Sequence, residues 1–102
     1  MQNLIGKKVI VRGDRSGLFF GTITDKDGQE VELTNCRRLW YWDGAASISQ
    51  LAAEGTKNPE NCKFTVVVPL IRVIDCIEIL ECTDDAIKSI EAVDVWRIPD
   101  RA

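Results

Sequence analysis

The sequence contains no histidine among its 102 residues. Histidine is the commonest general base of enzymes, so its absence removes the usual serine and cysteine triads. Neither a G-x-x-x-x-G-K-[ST] phosphate loop nor a G-x-G-x-x-G dinucleotide motif occurs. The acidic pairs Asp25/Asp27 and Asp84/Asp85 have structural explanations, since the first pair lies in a turn and the second at a helix start. We therefore predict a protein that is not an enzyme and needs no cofactor.

Patterns typical of metal sites and membrane spans are also missing. The four cysteines form no C-x-x-C pair, and their spacing differs from that of structural zinc sites. We predict that no metal is bound and that all four thiols are free and partly buried: Cys36, Cys62, Cys76 and Cys82. No run of roughly 18 apolar residues occurs, so we expect no membrane-spanning segment.

The charge balance argues against a protein that coats nucleic acid. The formal net charge is −3 at pH 7, whereas binding to a phosphate backbone needs clustered Lys and Arg. Positive charge is nevertheless concentrated in Lys7–Arg15 and at Arg37–Arg38, while acidic residues gather in Asp75–Glu91. A basic pocket on an acidic protein suits a small anion better than a polymer. The cations of Lys7–Arg15 either join such a pocket or protect an edge strand from aggregation.

The first third of the chain predicts an antiparallel meander. Three segments rich in β-forming residues are separated by turn residues, at Lys7–Arg12, Leu18–Asp25 and Gln29–Thr34. Asp27-Gly28 is a strong signal for the tight turn of a hairpin. Gly21 indicates a bulge or a close backbone approach within the second strand.

The remainder of the chain predicts further strands and two short helices. The helices are Ser47–Gly55, with a capping box from Ser47 and Gln50, and Thr83–Glu91, capped by Thr83. Strands are predicted at Arg37–Trp42, at Lys63–Val68 with Pro69 interrupting the ladder, at Leu70–Glu81 as one bent strand or two short ones, and at Val95–Ile98. Trp96 is predicted to lie in the core or at a dimer contact. The sequence thus predicts one α+β domain over residues 1–102, a mostly antiparallel β-sheet or partly open barrel with two short helices.

The run RRLWYW at Arg37–Trp42 is the strongest candidate for a binding site. In an extended strand, alternation places Arg38, Trp40 and Trp42 on one face, and Arg37, Leu39 and Tyr41 on the other. A guanidinium recognises phosphate and an indole stacks on a base, so the combination suits a nucleotide. At the start of the predicted helix Ser47–Gly55, Ser47 and the free backbone amides supply a further contact to an anion, or Ser47 serves only as the helix cap. The predicted ligand-binding residues are Arg37, Arg38, Trp40, Tyr41, Trp42 and Ser47. The alternative is structural, with the aromatic residues filling the core.

The run from Asn35 to Ala52 (NCRRLWYWDGAASISQLA) resembles a family of small phage and prophage proteins classified only as a domain of unknown function. Similar segments follow at Asn61–Phe64, Ile77–Leu80, Cys82–Thr83 and Val95–Trp96. The resemblance covers most of the chain, and its most specific part is N-x-R-R-L-W-Y-W-D-G-A-A-S. It implies a viral or prophage origin and a cytoplasmic location in an infected bacterium. It supplies no active site.

Two functions are consistent with these observations. The first is a non-catalytic anti-defence protein that sequesters a small anionic nucleotide, such as a cyclic messenger of host immunity, in a deep Arg/aromatic pocket. We expect such a protein to be a homo-oligomer. The second is a protein-interaction module that inhibits or recruits a host or phage protein through a flat or convex aromatic patch, since Trp, Tyr and Arg dominate interface hot spots. Binding to single-stranded nucleic acid is disfavoured by the net charge.

Overall fold

The structure is a computed structural model that describes residues 2–99. This part of the chain forms six strands and two α-helices. The strands are β1 (Lys8–Gly13), β2 (Leu18–Asp27), β3 (Glu30–Tyr41), β4 (Lys63–Phe64), β5 (Val68–Val73) and β6 (Cys76–Glu81). The helices are α1 (Ile48–Glu54) and α2 (Asp84–Glu91), and short 3-10 turns occur at Gln2–Leu4 and Pro59–Asn61. The predicted α+β class, with a mostly antiparallel sheet, is confirmed.

The sheet is strongly curled without being closed into a barrel. β3 pairs with β2 on one side and with both β4 and β5 on the other, while β1 joins β2 to β6. The edges β5 and β6 are nevertheless joined only by Ile74 and Asp75. In a flat five-strand sheet those edges would lie about 19 Å apart, but the three steps from Val73 to Cys76 reach at most about 11 Å. The short connection therefore requires the sheet to bend round on itself.

Both faces of the sheet are buried, because alternate residues of the central strands enter two different cores. In β1, Val9 and Val11 belong to the core formed within the curled sheet, whereas Ile10 belongs to the core under the helices. In β2, Phe19 belongs to the core within the curled sheet, and Phe20 belongs to the core under the helices. The helix-side core is completed by residues from the helices and the segments next to them: Leu51, Ala52, Cys62, Phe64, Cys82, Ala86, Ile90 and Val93.

The two helices begin and end at the residues that the sequence predicts. The Ser47 hydroxyl accepts a hydrogen bond from the Gln50 amide at 3.1 Å, and Gly55 closes α1 with a φ of 79°. The Gln50 side chain accepts a hydrogen bond from the amide of Ala46. In the predicted capping box it would accept from the amide of Ser47, so this contact lies one residue nearer the N-terminus than predicted. Thr83 caps α2 by accepting from the Ala86 amide at 3.1 Å.

The structure corrects three predicted strand features. Gln29–Thr34 and Arg37–Trp42 form one continuous β3, because a bulge at Asn35 absorbs the irregularity without ending the strand. Pro69 lies inside β5 instead of interrupting it; β5 is an edge strand, and Pro69 lies opposite the Asn35 bulge, where a missing amide donor is tolerated. The predicted last strand is only a single bridge between Val95 and Phe64.

Candidate functional site

Two irregularities in β3 determine where the side chains of the arginine and tryptophan run point. At the first, Gly21 of β2 faces both Asn35 and Cys36 of β3, and Asn35 has a φ of 48°. A Cβ at Gly21 would lie 3.1 Å from the Cys36 Cα, so glycine permits this close approach. At the second, the pairing of β3 with β4 slips by one residue at Trp40. Bulges redirect side chains, and strict alternation along the run fails as a result.

Arg37 lies in the interior and is 4% exposed. Its Nε donates to the Thr65 carbonyl at 3.0 Å, and its Nη2 donates to the Phe64 carbonyl at 3.1 Å. Its Nη1 donates to the carbonyls of Ile90 and Val93, each at 3.1 Å. The guanidinium therefore connects β3 to β4 and to the end of α2, where the helix dipole favours a cation.

The surroundings of Arg37 do not suit a nucleotide. Burial lowers the pKa of Arg37 from its ordinary value, and the nearby Glu91 carboxylate partly opposes that shift. The adjacent hollow has a volume of about 200 Å³, whereas small-molecule pockets measure about 300–1,000 Å³. Glu91 also lines this hollow and would repel an anion, and the other lining residues are Phe20, Asn35 and Val67.

Arg38 lies on the opposite face of the sheet from Arg37, as alternation predicts at this point of the strand. Its guanidinium carbon is 4.5 Å from the centre of the Phe19 ring, and its Nη1 donates to the Ser16 carbonyl at 2.6 Å. The Asp75 carboxylate holds the same turn by accepting from the Ser16 hydroxyl and from backbone amides, and these bonds lower the pKa of Asp75. Arg38 thus stabilises the β1–β2 turn.

Trp40, Tyr41, Lys63 and Trp96 form an exposed group that we call the aromatic surface. The Trp40 and Trp96 rings are stacked, with centroids 6.1 Å apart and planes inclined by 15°. Their exposed fractions are nevertheless 63% and 45%. The Lys63 ammonium is 5.6 Å from the centre of the Trp96 ring, and Lys63 pairs with Tyr41 across the β3–β4 ladder. A cleft of about 420 Å³ adjoins Trp96 and is also lined by Arg97, Ile98 and Pro99.

The six residues predicted to bind a ligand therefore have different surroundings. Trp40 and Tyr41 belong to the aromatic surface, while Trp42 is partly buried and packs against the helix-side core. Arg37 and Arg38 bond to carbonyls on opposite faces of the sheet. Ser47 uses its hydroxyl to cap α1. The structure thus brings only two of the six together.

A family described as "Domain of unknown function (DUF6948)" matches residues 6–90. The chain belongs to this family. No curated protein matches the chain. The matched residues of the DUF6948 domain include Trp40, Tyr41 and Lys63, whereas Trp96 lies beyond them.

Two members of the aromatic surface were not among the predicted ligand-binding residues. Trp96 was predicted to be in the core or at a dimer contact; the core assignment is wrong, because the single bridge at Val95 leaves its ring on the surface. Lys63 has no distinguishing signal in the sequence of the DUF6948 domain. Its position follows from the pairing of β4 with β3, which only the tertiary structure reveals.

The cysteines of the DUF6948 domain are buried, and residues 2–99 contain neither a metal-binding group of side chains nor a membrane-spanning helix. All four cysteines are free and buried, as predicted. Burial raises the pKa of Cys36 and of Cys82 to about 12, and it also raises the pKa of Cys76. Within residues 2–99, no group of three acidic or cysteine side chains is arranged to hold a metal ion. Neither helix of this region has the length and apolar character needed to cross a bilayer.

Proposed function

We propose that this DUF6948 domain is a non-catalytic protein-interaction module that binds another protein through the aromatic surface. The observation that supports the proposal is the stacked pair Trp40–Trp96, which remains largely exposed beside Lys63. Exposed aromatic clusters of this kind are typical of interface hot spots. The two indoles already pack against each other in the free protein. Binding a partner therefore costs less side-chain conformational entropy than ordering two separate rings would.

The proposed setting is a phage-encoded protein that acts in the cytoplasm of an infected bacterium and binds a host or phage protein there. The sequence resemblance to small phage and prophage proteins supports this setting. The nucleotide hypothesis has weaker support, because Arg37 and Arg38 donate to backbone carbonyls and the hollow beside Arg37 is small and lined by Glu91. It stays a prediction, as does a homo-oligomeric state.

The test begins with capture of partner proteins on the immobilised domain from a bacterial lysate, followed by mass-spectrometric identification and purification of each candidate. Affinity is then measured for the wild type, Trp40→Ala and Ile74→Ala. Ile74 is a matched control, because it is 69% exposed and lies in the β5–β6 connection instead of on the aromatic surface. We expect Trp40→Ala to lose about 2 kcal/mol or more, which corresponds to about 30-fold in affinity, and Ile74→Ala to bind like the wild type.

Equal affinity of the wild type and Trp40→Ala for every purified candidate would contradict the proposal. Calorimetry with cyclic dinucleotides, cyclic trinucleotides and cyclic ADP-ribose compounds provides the competing outcome. Binding of any of these by the wild type, lost in Trp40→Ala, would support the nucleotide hypothesis in place of a protein partner.

A further inference from the structure

We infer that the aromatic surface recognises a segment of its partner in which an apolar side chain adjoins a carboxylate. This inference rests on the proposed function and specifies the chemistry of the partner. It follows from the charge at the surface and from the space beside Trp96.

Lys63 gives the aromatic surface a positive charge that no carboxylate of residues 2–99 neutralises by an ion pair. Its ammonium is held near the face of the Trp96 ring instead. Four other cations on or beside the sheet do pair with acidic side chains: Lys7 with Glu81, Lys8 with Glu91, Arg12 with Glu78, and Arg72 with Glu30. A partner carboxylate would therefore give Lys63 the ion-pair contact that those cations already have.

The segment that carries Trp96 has exposed charges of both signs. Asp94 and Arg97 are both exposed and carry opposite charges on the same segment. The whole chain has a net charge of −3, but charges separated by more than about 8 Å are largely screened at physiological salt. Lys63, whose ammonium lies over the Trp96 ring, is therefore a charge that a partner segment on that ring meets at close range.

The apolar part of the partner segment is favoured by the exposed ring faces and the adjoining cleft. The cleft of about 420 Å³ is lined by Ile98 and Pro99 as well as by Trp96. Val95, the neighbour of Trp96, is also exposed. Burying an apolar side chain here removes ring surface from water while leaving the ammonium of Lys63 at the edge of the contact.

The inference is tested with three fluorescein-labelled synthetic peptides of equal length that share a Phe-Leu centre and are flanked by Glu, by Gln or by Lys. Anisotropy titrations compare the wild type, Lys63→Glu and Lys26→Glu. Lys26 is a matched charge reversal, because it pairs with Val31 near the other end of β3 from Trp40. We expect the wild type and Lys26→Glu to bind the Glu peptide at least about tenfold more tightly than the Lys peptide, and Lys63→Glu to reverse that order.

Each alternative outcome is distinguishable. If Lys63→Glu keeps the wild-type order, or if Lys26→Glu also reverses it, the partner chemistry inferred here is overturned while a protein-binding function stands. If no peptide binds but a captured partner depends on Trp40, the inference alone fails; if neither binds, the proposed function fails with it. A dimer in sedimentation experiments that Trp40→Ala dissociates would assign the surface to a second copy of the chain and overturn the inference.

Discussion

Removing the guanidinium of Arg37 should destabilise the domain by several kcal/mol. In Arg37→Met the side chain keeps apolar contacts but donates no hydrogen bond. The Phe64 carbonyl still accepts from the Trp96 amide, and the Ile90 carbonyl still accepts from the Val93 amide. The carbonyls of Thr65 and Val93 keep no other donor among the hydrogen bonds found in residues 2–99. An unsatisfied buried carbonyl costs about 1–3 kcal/mol; the Val93 carbonyl is buried, whereas the Thr65 carbonyl is partly buried and costs less. Relief of guanidinium desolvation offsets part of that cost.

The expected net loss is therefore about 2–4 kcal/mol, a large share of the 5–15 kcal/mol that is typical of domain stability. Urea unfolding followed by far-ultraviolet circular dichroism measures it, and the midpoint should fall by about 1–3 M. Arg37→Lys should be intermediate, because one ammonium reaches some of the four carbonyls. Arg72→Met is the matched control: Arg72 is also a strand arginine, but its partners Glu30 and Glu32 are at the surface, so its loss should cost no more than about 1 kcal/mol.

If Arg37 is a structural residue, the urea-unfolding midpoint of Arg37→Met should be clearly lower than that of Arg72→Met. A midpoint for Arg37→Met close to that of the wild type would refute the reasoning, as would an equal loss in Arg72→Met. If Arg37→Met does not fold, the comparison of Arg37→Lys with Arg72→Met provides the same test. A folded Arg37→Met with unchanged stability would instead indicate that the guanidinium is free to serve a ligand.

Three further predictions concern residues elsewhere in the domain. Trp42→Ala should cost about 2–3 kcal/mol in urea unfolding, because the ring packs partly against the helix-side core; an unchanged midpoint would contradict that packing. Ser47→Ala should cost about 1 kcal/mol by loss of the helix cap and leave partner affinity unchanged. The thiols of Cys36 and Cys82 have pKa values raised by burial to about 12. The free energy of unfolding should therefore keep the full contribution of these neutral thiols below the unfolded thiol pKa of about 8.5, and it should fall as the pH rises toward 12. Rapid alkylation of either thiol in the native protein at about pH 8 would contradict this burial.

The elements that the sequence predicts well are those specified by local chemistry. The predicted hairpin turn forms one residue later than the Asp27-Gly28 signal, because Asp27 pairs with Glu30 and the turn residues are Gly28, with a φ of 59°, and Gln29. Ser47 and Thr83 cap the two helices. In each case a single residue type satisfies a local backbone requirement, so the signal lies within a few positions. The close backbone approach that Gly21 predicts is also present, since the backbone of Cys36 lies next to it.

The elements that the sequence predicts poorly depend on contacts between distant segments. The periodicity of Arg37–Trp42 places three residues on each face, but the slip at Trp40 leaves both Trp40 and Tyr41 exposed. The chemistry of arginine indicates a phosphate site, whereas four carbonyls from two other segments surround the guanidinium of Arg37. Those carbonyls are backbone groups that carry no mark in the sequence, so no local pattern could have identified the arrangement.

The interior arginine and the aromatic surface meet at one carbonyl group. The Phe64 carbonyl accepts from Arg37 Nη2 at 3.1 Å and from the Trp96 amide at 2.8 Å. The bond to Trp96 fixes the backbone that presents its ring to Trp40, and the bonds of Arg37 to Ile90 and Val93 fix the end of α2 from which that segment departs. Arg37 therefore contributes to the stacked indoles without touching them. This coupling explains how one short run of the sequence can supply both a buried structural cation and part of the exposed aromatic surface.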